Sequence, residues 1–479
     1  MSTTFGTRYG VRSTRYGPES PSRHPATRAG ATETCLSIHF LDAPPVPAPS
    51  LPSFGGMDSK SVMDQVWPLR TDWADGELRL GGLGVGDLAS TFGTPLYVLD
   101  EDDFRRRCAA WTDAFPEADV HYGGKAFLAP ALVGWLRELG LSLDVCSGGE
   151  LAVAQRGGMP PGRVVFHGNN KSVAEIRRAV EWGVGCLVLD SFEELARVAG
   201  AARRLGVRQS VMVRVKPGVD ADTHASWATG GERTKFGLSL ASGEAAEAVR
   251  RVLAEPALEL VGLHSHIGSQ IFDLDSFATA AERMVAFLRE VEREHGVAVG
   301  RLDLGGGLGV PYLMGERPAP SPADLARVLR AAVPQDVRIA LEPGRSIVAP
   351  TTVALYEVGT VKGRYVSVDG GMSDNPRPAT YGAAYTAVLA SRASDAPLAD
   401  FTVVGKHCET GDILVDGVDL PGDIRPGDLL AIPCSGAYQR SAASNYNHVP
   451  RPPVVSVRAG HARVLVRRET EEDLLRLYT

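Results

Sequence analysis

The chain has 479 residues, 44% of them hydrophobic and 22% charged, the balance of a folded globular protein and not of a disordered or fibrous one. Its 50 Lys and Arg stand against 57 Asp and Glu, a net charge of -7 that leaves no footprint for nucleic acid or an anionic membrane. Length alone allows about three domains, but an α/β barrel runs to about 250 residues as one unit and lowers the expectation to two.

Six cysteines (Cys35, Cys108, Cys146, Cys186, Cys408 and Cys434) are spread along the chain without a C-x-x-C pair. Neither a zinc ribbon nor a disulfide framework is indicated, so a reducing compartment is expected. No run approaches the ~20 apolar residues that span a bilayer, and no apolar run follows the basic N-terminal residues. The cytoplasm is the expected location.

Residues 1–56 are rich in Ser, Thr, Arg, Pro and Gly and show no period of strand or helix, so they are predicted to be disordered. Met57 and Met63 stand where ordinary sequence begins, and an internal natural start is expected. Deleting residues 1–56 should leave function intact. The segment 57–100 follows, in which Leu78-Arg-Leu80 and Pro95-Leu-Tyr-Val-Leu99 are predicted to lend strands to a β-domain further along.

From 101 to 346 short apolar runs alternate with amphipathic segments, the pattern of βα units. Eight runs are predicted as strands: Val120–Tyr122, Leu143–Val145, Val164–Phe166, Cys186–Leu189, Val211–Val215, Val261–His264, Leu302–Leu304 and Ile339–Leu341. Helices between them have readable starts. Ser172 with Glu175 and Ser191 with Glu194 are spaced as capping boxes, and Ser321-Pro322 is a proline-led start. Polar and glycine residues close the runs: Gly123-Gly-Lys125, Cys146-Ser-Gly-Gly149, His167-Gly-Asn-Asn170, Asp190-Ser191, Lys216-Pro-Gly218, His266-Ile-Gly-Ser269, Gly305-Gly-Gly307 and Glu342-Pro-Gly-Arg345. Functional residues after every strand match a (β/α)8 barrel, whose active site lies on that face, better than an open doubly wound sheet with a single switch point. From 347 to 479 β-branched runs and turn signals indicate a β-domain, and an acidic-started helix at Glu469 closes the chain.

The P-loop, zincin and G-x-S-x-G signatures are absent. Gly305-Gly-Gly-Leu-Gly309 lacks the third glycine of a dinucleotide fingerprint, and Pro311 interrupts the helix such a motif needs, yet its backbone can approach a phosphate closely. Lys125 after two glycines can point into the barrel mouth. Apolar neighbours would lower its pKa and suit it to Schiff-base chemistry, against the commoner outcome of a solvated lysine. His264 and His266 share a strand face. They lack a third ligand at suggestive spacing, so satisfied core histidines are the simpler reading and no metal is expected. Glu342 can act in a site or merely pair with Arg345.

Taken together and in order, Tyr122-Gly-Gly-Lys-Ala126, Asp144-Val-Cys-Ser147 with Glu150, His264-Ser-His-Ile-Gly-Ser-Gln270, Leu304-Gly-Gly-Gly307, Glu342-Pro-Gly-Arg345, Arg377-Pro-Ala-Thr-Tyr381, Cys408-Glu-Thr-Gly-Asp412 and Gly436-Ala-Tyr438 resemble the pyridoxal-phosphate-dependent decarboxylases of the alanine-racemase-like fold. Within that family they are most similar to the diaminopimelate-cleaving branch. The likeness runs from about residue 75 to the C-terminus, and Tyr-Gly-Gly-Lys-Ala replaces the family's frequent Tyr-Ala-x-Lys-Ala.

This resemblance implies fold type III, a pyridoxal 5'-phosphate-binding barrel with a C-terminal β-domain. It implies decarboxylation of meso-2,6-diaminopimelate to L-lysine, the last step of lysine biosynthesis. Lys125 would join the cofactor covalently, Glu342 face its ring nitrogen and His266 stack on its ring. Ser269, Gly305, Gly306, Gly307 and Tyr438 would hold the phosphate, with Asp144, Gly344 and Arg345 also in the cofactor site. Arg345, Arg377, Tyr381, Glu409 and Tyr438 would bind the substrate, the arginines on its distal carboxylate and Glu409 on its distal amine. Cys408 would reprotonate the product carbon, whereas Cys146 and Cys434 fit buried small hydrophobes better. The Cys408-Glu409 segment would reach into the partner's site of an obligate homodimer. The alternatives are a sister amino-acid decarboxylase of specialised metabolism, a racemase, or a non-catalytic cofactor-binding dimer.

Overall fold

The computed structural model describes residues 65–219 and 229–479. The expectations for residues 1–56 and for the internal start lie outside the described residues.

Eight parallel strands close on themselves: Asp119–Gly123, Ser142–Val145, Val164–Phe166, Cys186–Leu189, Gln209–Lys216, Leu258–His264, Arg301–Asp303 and Arg338–Leu341. The last pairs with the first through Ala340 and Asp119, and Leu187 pairs with Val211 across the middle. Each predicted apolar run therefore contributes a barrel strand, and the open-sheet alternative is excluded by the closure. A two-residue strand, Leu238–Ser239, is added alongside Gln209–Lys216.

The helix starts follow local chemistry with one instructive departure. Ser172 and Glu175 form the full capping box, and Ser321 forms one with Asp324. Ser191 caps its helix by accepting from the Glu194 amide, but the Glu194 carboxylate does not return the bond. It accepts from the Asp190 amide at 2.8 Å and pairs with the buried Lys171 at 3.0 Å. A buried cation outcompetes a neighbouring amide for a carboxylate, so the box stays half made.

After the barrel, strands assemble a second sheet in the order Ile413–Pro421, Leu398–Val404, Tyr365–Val368, Thr352–Lys362, Leu96–Asp100, Val454–Arg458, His461–Val466. Leu96–Asp100 sits at its centre, antiparallel to Thr352–Lys362 and parallel to Val454–Arg458. Glu77–Leu80 does not join this sheet as a strand. It pairs with Thr71–Ala74 and Leu83–Gly84 in a separate three-stranded meander, touching the larger region through the Leu78 amide and the Ala390 carbonyl at 2.8 Å. The tight Asp75-Gly76 turn offers a local partner at once, and local pairing wins.

One continuous apolar cluster runs from Leu132 and Leu143 in the barrel region through Ile347 and Val348 to Leu355 and Leu430 in the sheet, so the described residues pack as one compact unit. Among the described residues no helix is long and apolar enough to cross a membrane.

Candidate active site at the barrel mouth

Lys125 follows Asp119–Gly123, where two glycines let the chain turn sharply. A Cβ on Gly124 would sit 2.8 Å from the Asp144 carbonyl oxygen. Solvent reaches the lysine side chain, yet it stands among polar groups of the barrel mouth, its Nζ 5.8 Å from the centre of the Tyr438 ring. The expected apolar surroundings are therefore absent. The Tyr438 phenol outweighs burial and, with Asp144 and Cys146, holds the ammonium above its ordinary pKa. Tyr438 is locked to this strand end by its amide, which donates to the Ala126 carbonyl at 2.9 Å.

Glu342 ends the last barrel strand and does not pair with Arg345. His167 Nε2 lies 2.7 Å from its Oε1 and His264 Nε2 lies 3.4 Å from its Oε2, the two imidazoles meeting edge-on at 4.8 Å. Burial works against the Glu342 anion, but His167 and then His264 outweigh it and keep the carboxylate ionised well below the usual range. Burial would also lower His167, and the Glu342 and Asp144 carboxylates reverse this and lift it to about 9. His264 is pushed down by burial, and Asp144, 3.7 Å from His167, is pushed up by it. His167, His264 and Glu342 bring three potential ligand atoms within 4.8 Å. His266 is not among them, so the groups that meet His264 come from other strands and not from the His264–His266 pair.

His266 faces the same mouth. Its Nδ1 accepts from the Gly306 amide at 3.3 Å, and burial, followed by the Arg214 and Lys125 cations, drops it to about 3. It is a neutral ring. The Gly305–Gly307 run packs too tightly for side chains: a Cβ on Gly306 would lie 2.2 Å from the Glu342 carbonyl oxygen. Beneath it the fully buried Asp303 accepts from the Gly305 amide at 2.9 Å, with His121 Nδ1 at 3.6 Å from its other oxygen. Gly344 also packs against Gly123, where a Cβ would lie 3.0 Å from the Gly123 carbonyl oxygen, and the Gly123 amide donates to the Pro343 carbonyl at 3.0 Å.

Arg345 donates to Ser269 Oγ at 2.9 and 3.2 Å and to the Tyr312 hydroxyl at 2.7 Å, with its guanidinium 4.7 Å from the Tyr438 ring centre. Arg377, only 2% exposed, starts the short helix Arg377–Tyr381, lies 4.5 Å over the Tyr312 ring and donates to the Tyr385 hydroxyl. Tyr381, at the helix end, is exposed.

Cys408 and Glu409 lie elsewhere, exposed on the turn joining Leu398–Val404 to Ile413–Pro421. Glu409 accepts from the Tyr446 hydroxyl, and His407 is held between Ser373 at 2.9 Å and Asn447 at 2.8 Å. The Asp412 carboxylate braces the turn, accepting from the His407 amide at 2.8 Å and the Met372 amide at 2.6 Å. Cys434 is buried as expected, but Cys146 is exposed. It follows a barrel strand directly, at the open mouth, where its amide donates to Glu150 at 2.7 Å.

The family profile described as "Pyridoxal-dependent decarboxylase, pyridoxal binding domain" matches residues 101–349. The chain belongs to the diaminopimelate decarboxylase branch of that family. It is 51% identical over 435 residues to the diaminopimelate decarboxylase of Mycobacterium tuberculosis, covering 86% of this chain and 97% of that one. The Bacillus subtilis enzyme is 42% identical over 418 residues, 84% and 95% of the two chains. The solved diaminopimelate decarboxylase from M. jannaschii in complex with L-lysine superposes with a TM-score of 0.80 at 32% identity, covering 85% of this chain and 97% of that one. A lysine/ornithine decarboxylase from Vibrio vulnificus shares the fold at a TM-score of 0.68 and 23% identity.

The mouth fits the family's cofactor. The glycine run leaves main chain where a phosphate needs close approach. Glu342, kept anionic by two imidazoles, would suit a protonated pyridine nitrogen, and Lys125 would supply the amine.

Proposed function

We propose that this carboxy-lyase converts meso-2,6-diaminopimelate to L-lysine and CO2. The observation that carries this reading is one contiguous array. Lys125 and Arg345 lie on the Tyr438 ring, Arg345 and Arg377 on Tyr312, so the reacting amine leads without interruption to two guanidiniums. A diamine precursor without a distal carboxylate would leave Arg377 a buried cation with no anion, a costly arrangement.

Lys125 would be the cofactor's covalent anchor, Glu342 would serve its ring nitrogen and neutral His266 would lie against its ring. Ser269, Tyr438, Gly344 and the Gly307 amide would hold the phosphate and Asp144 would complete the cofactor site, whereas the expected Gly305 and Gly306 amides are already spent on Asp303 and His266. Bound pyridoxal phosphate supplies the electron sink for the bond that breaks. His167 and His264 keep the Glu342 proton affinity low, so the carboxylate is ready to hold a proton on its partner nitrogen. Arg345 and Arg377, with Tyr381, orient the substrate by its distal carboxylate through the planar guanidinium fork. Cys408 Sγ delivers the proton that replaces CO2, and Glu409 holds the distal amine.

In one protomer these last two side chains are exposed on a braced turn, which supports a homodimer in which each subunit completes its partner's site. CO2 release measured side by side from diaminopimelate, ornithine, lysine and arginine tests the substrate. Turnover of diaminopimelate alone is expected. Turnover of another amino acid instead would make this a sister activity, and turnover of none would leave a cofactor-binding dimer.

A further inference from the structure

The guanidinium of Arg377 is buried, and among the described residues no carboxylate pairs with it. What holds it is aromatic. Its carbon centre lies 4.5 Å from the Tyr312 ring centre and 5.5 Å from that of Tyr385, and it donates to the Tyr385 hydroxyl. Tyr312 in turn accepts from Arg345 at 2.7 Å through its hydroxyl. The two rings meet edge to face at 5.2 Å and 81°. Tyr312 comes from the loop beyond the glycine run, Tyr385 from the segment after the Arg377–Tyr381 helix. Their contact ties the barrel arginine to the sheet-region arginine.

Aromatic faces and neutral hydroxyls hold a cation without neutralising it. A carboxylate in the same place would fix Arg377 equally well but consume its charge, and the arginine would no longer attract an incoming anion. Burial pushes the Tyr385 phenol up, so it stays uncharged beside the guanidinium.

We infer that Tyr312 and Tyr385 are positioning residues that set the spacing of Arg345 and Arg377 and so determine selectivity for a substrate with a distal carboxylate. This rests on the reading of the two arginines given above. L-Lysine retains the distal carboxylate of the substrate, whereas 1,5-diaminopentane is L-lysine without it. The pair of ligands therefore isolates the role.

In the cofactor-loaded enzyme, Tyr385→Phe and Tyr312→Phe each remove one hydroxyl and keep the ring. Each is expected to raise KM for diaminopimelate about tenfold with kcat within about twofold, the cost of one charge-assisted hydrogen bond. Inhibition by L-lysine should weaken by the same factor and inhibition by 1,5-diaminopentane should not change. A uniform loss for all three ligands, or no change for any, in both variants overturns the inference. Arg377→Gln separates the two levels. If it leaves KM for diaminopimelate unchanged, the reading of the arginines fails and the tyrosine role with it. If it raises KM while neither tyrosine variant does, only the tyrosine role fails.

Discussion

The barrel mouth and the Cys408 turn are built on opposite plans. At the mouth buried ionisable groups are answered within the same chain: Glu342 by His167 and His264, Asp303 by the Gly305 amide, Arg345 by Ser269 and Tyr312. At the turn the backbone is rigidly braced by Asp412, yet the two side chains it presents, Cys408 and Glu409, face outward. A rigid support beneath exposed reactive groups is what a surface needs when it completes a site on another subunit. Under the proposed function, cofactor chemistry would fall to one protomer and proton return to its neighbour.

The sharpest way to break that contrast is to remove its two poles. Lys125→Ala should lower CO2 release by about 10⁴-fold, the loss expected when the proposed covalent anchor is removed. Borohydride reduction of the loaded wild-type protein should label position 125, and labelling elsewhere would remove the anchor from the account. Cys408→Ala should cost about 10²- to 10³-fold in kcat, the range of one general acid. Mixing the two inactive variants should then restore about a quarter of wild-type activity, because random exchange rebuilds one intact site in each mixed dimer. No recovery after verified exchange would place both poles in one protomer.

A smaller effect tests how self-contained the mouth is. His167 rises from its ordinary 6.5 to about 9 in the folded chain. Its contribution to stability is therefore fully present below 6.5, declines as pH rises and is gone above about 9, amounting to on the order of 3 kcal/mol. Urea unfolding of cofactor-free wild type and His167→Gln should show a gap near about pH 6 that closes by about pH 9.5. A gap that widens with pH would mean that His167 is neutral beside Glu342.

Much of this was legible in the residues. Each barrel strand is an apolar run stopped by glycine and polar residues, and both signals are local. The candidate site residues proposed above stand at those strand ends for the same reason. What the residues could not show was which strand end meets which. Glu342 finds His167 and His264 rather than Arg345, three positions away, because closing the barrel brings distant strand ends face to face. Tyr312 and Tyr385 carry no motif at all, and only folding places their rings between two arginines. Cys146 was misjudged because cysteine is usually buried, while its position directly after a barrel strand opens it to solvent.

The glycine run sets a practical boundary for anyone recasting this enzyme toward a different amino acid. Even one methyl at Gly306 would strike the main chain of Glu342, so a library that varies that stretch wastes its members on collapsed scaffolds. Diversity belongs instead around Tyr385, which touches Arg377 from a segment remote from the glycine run.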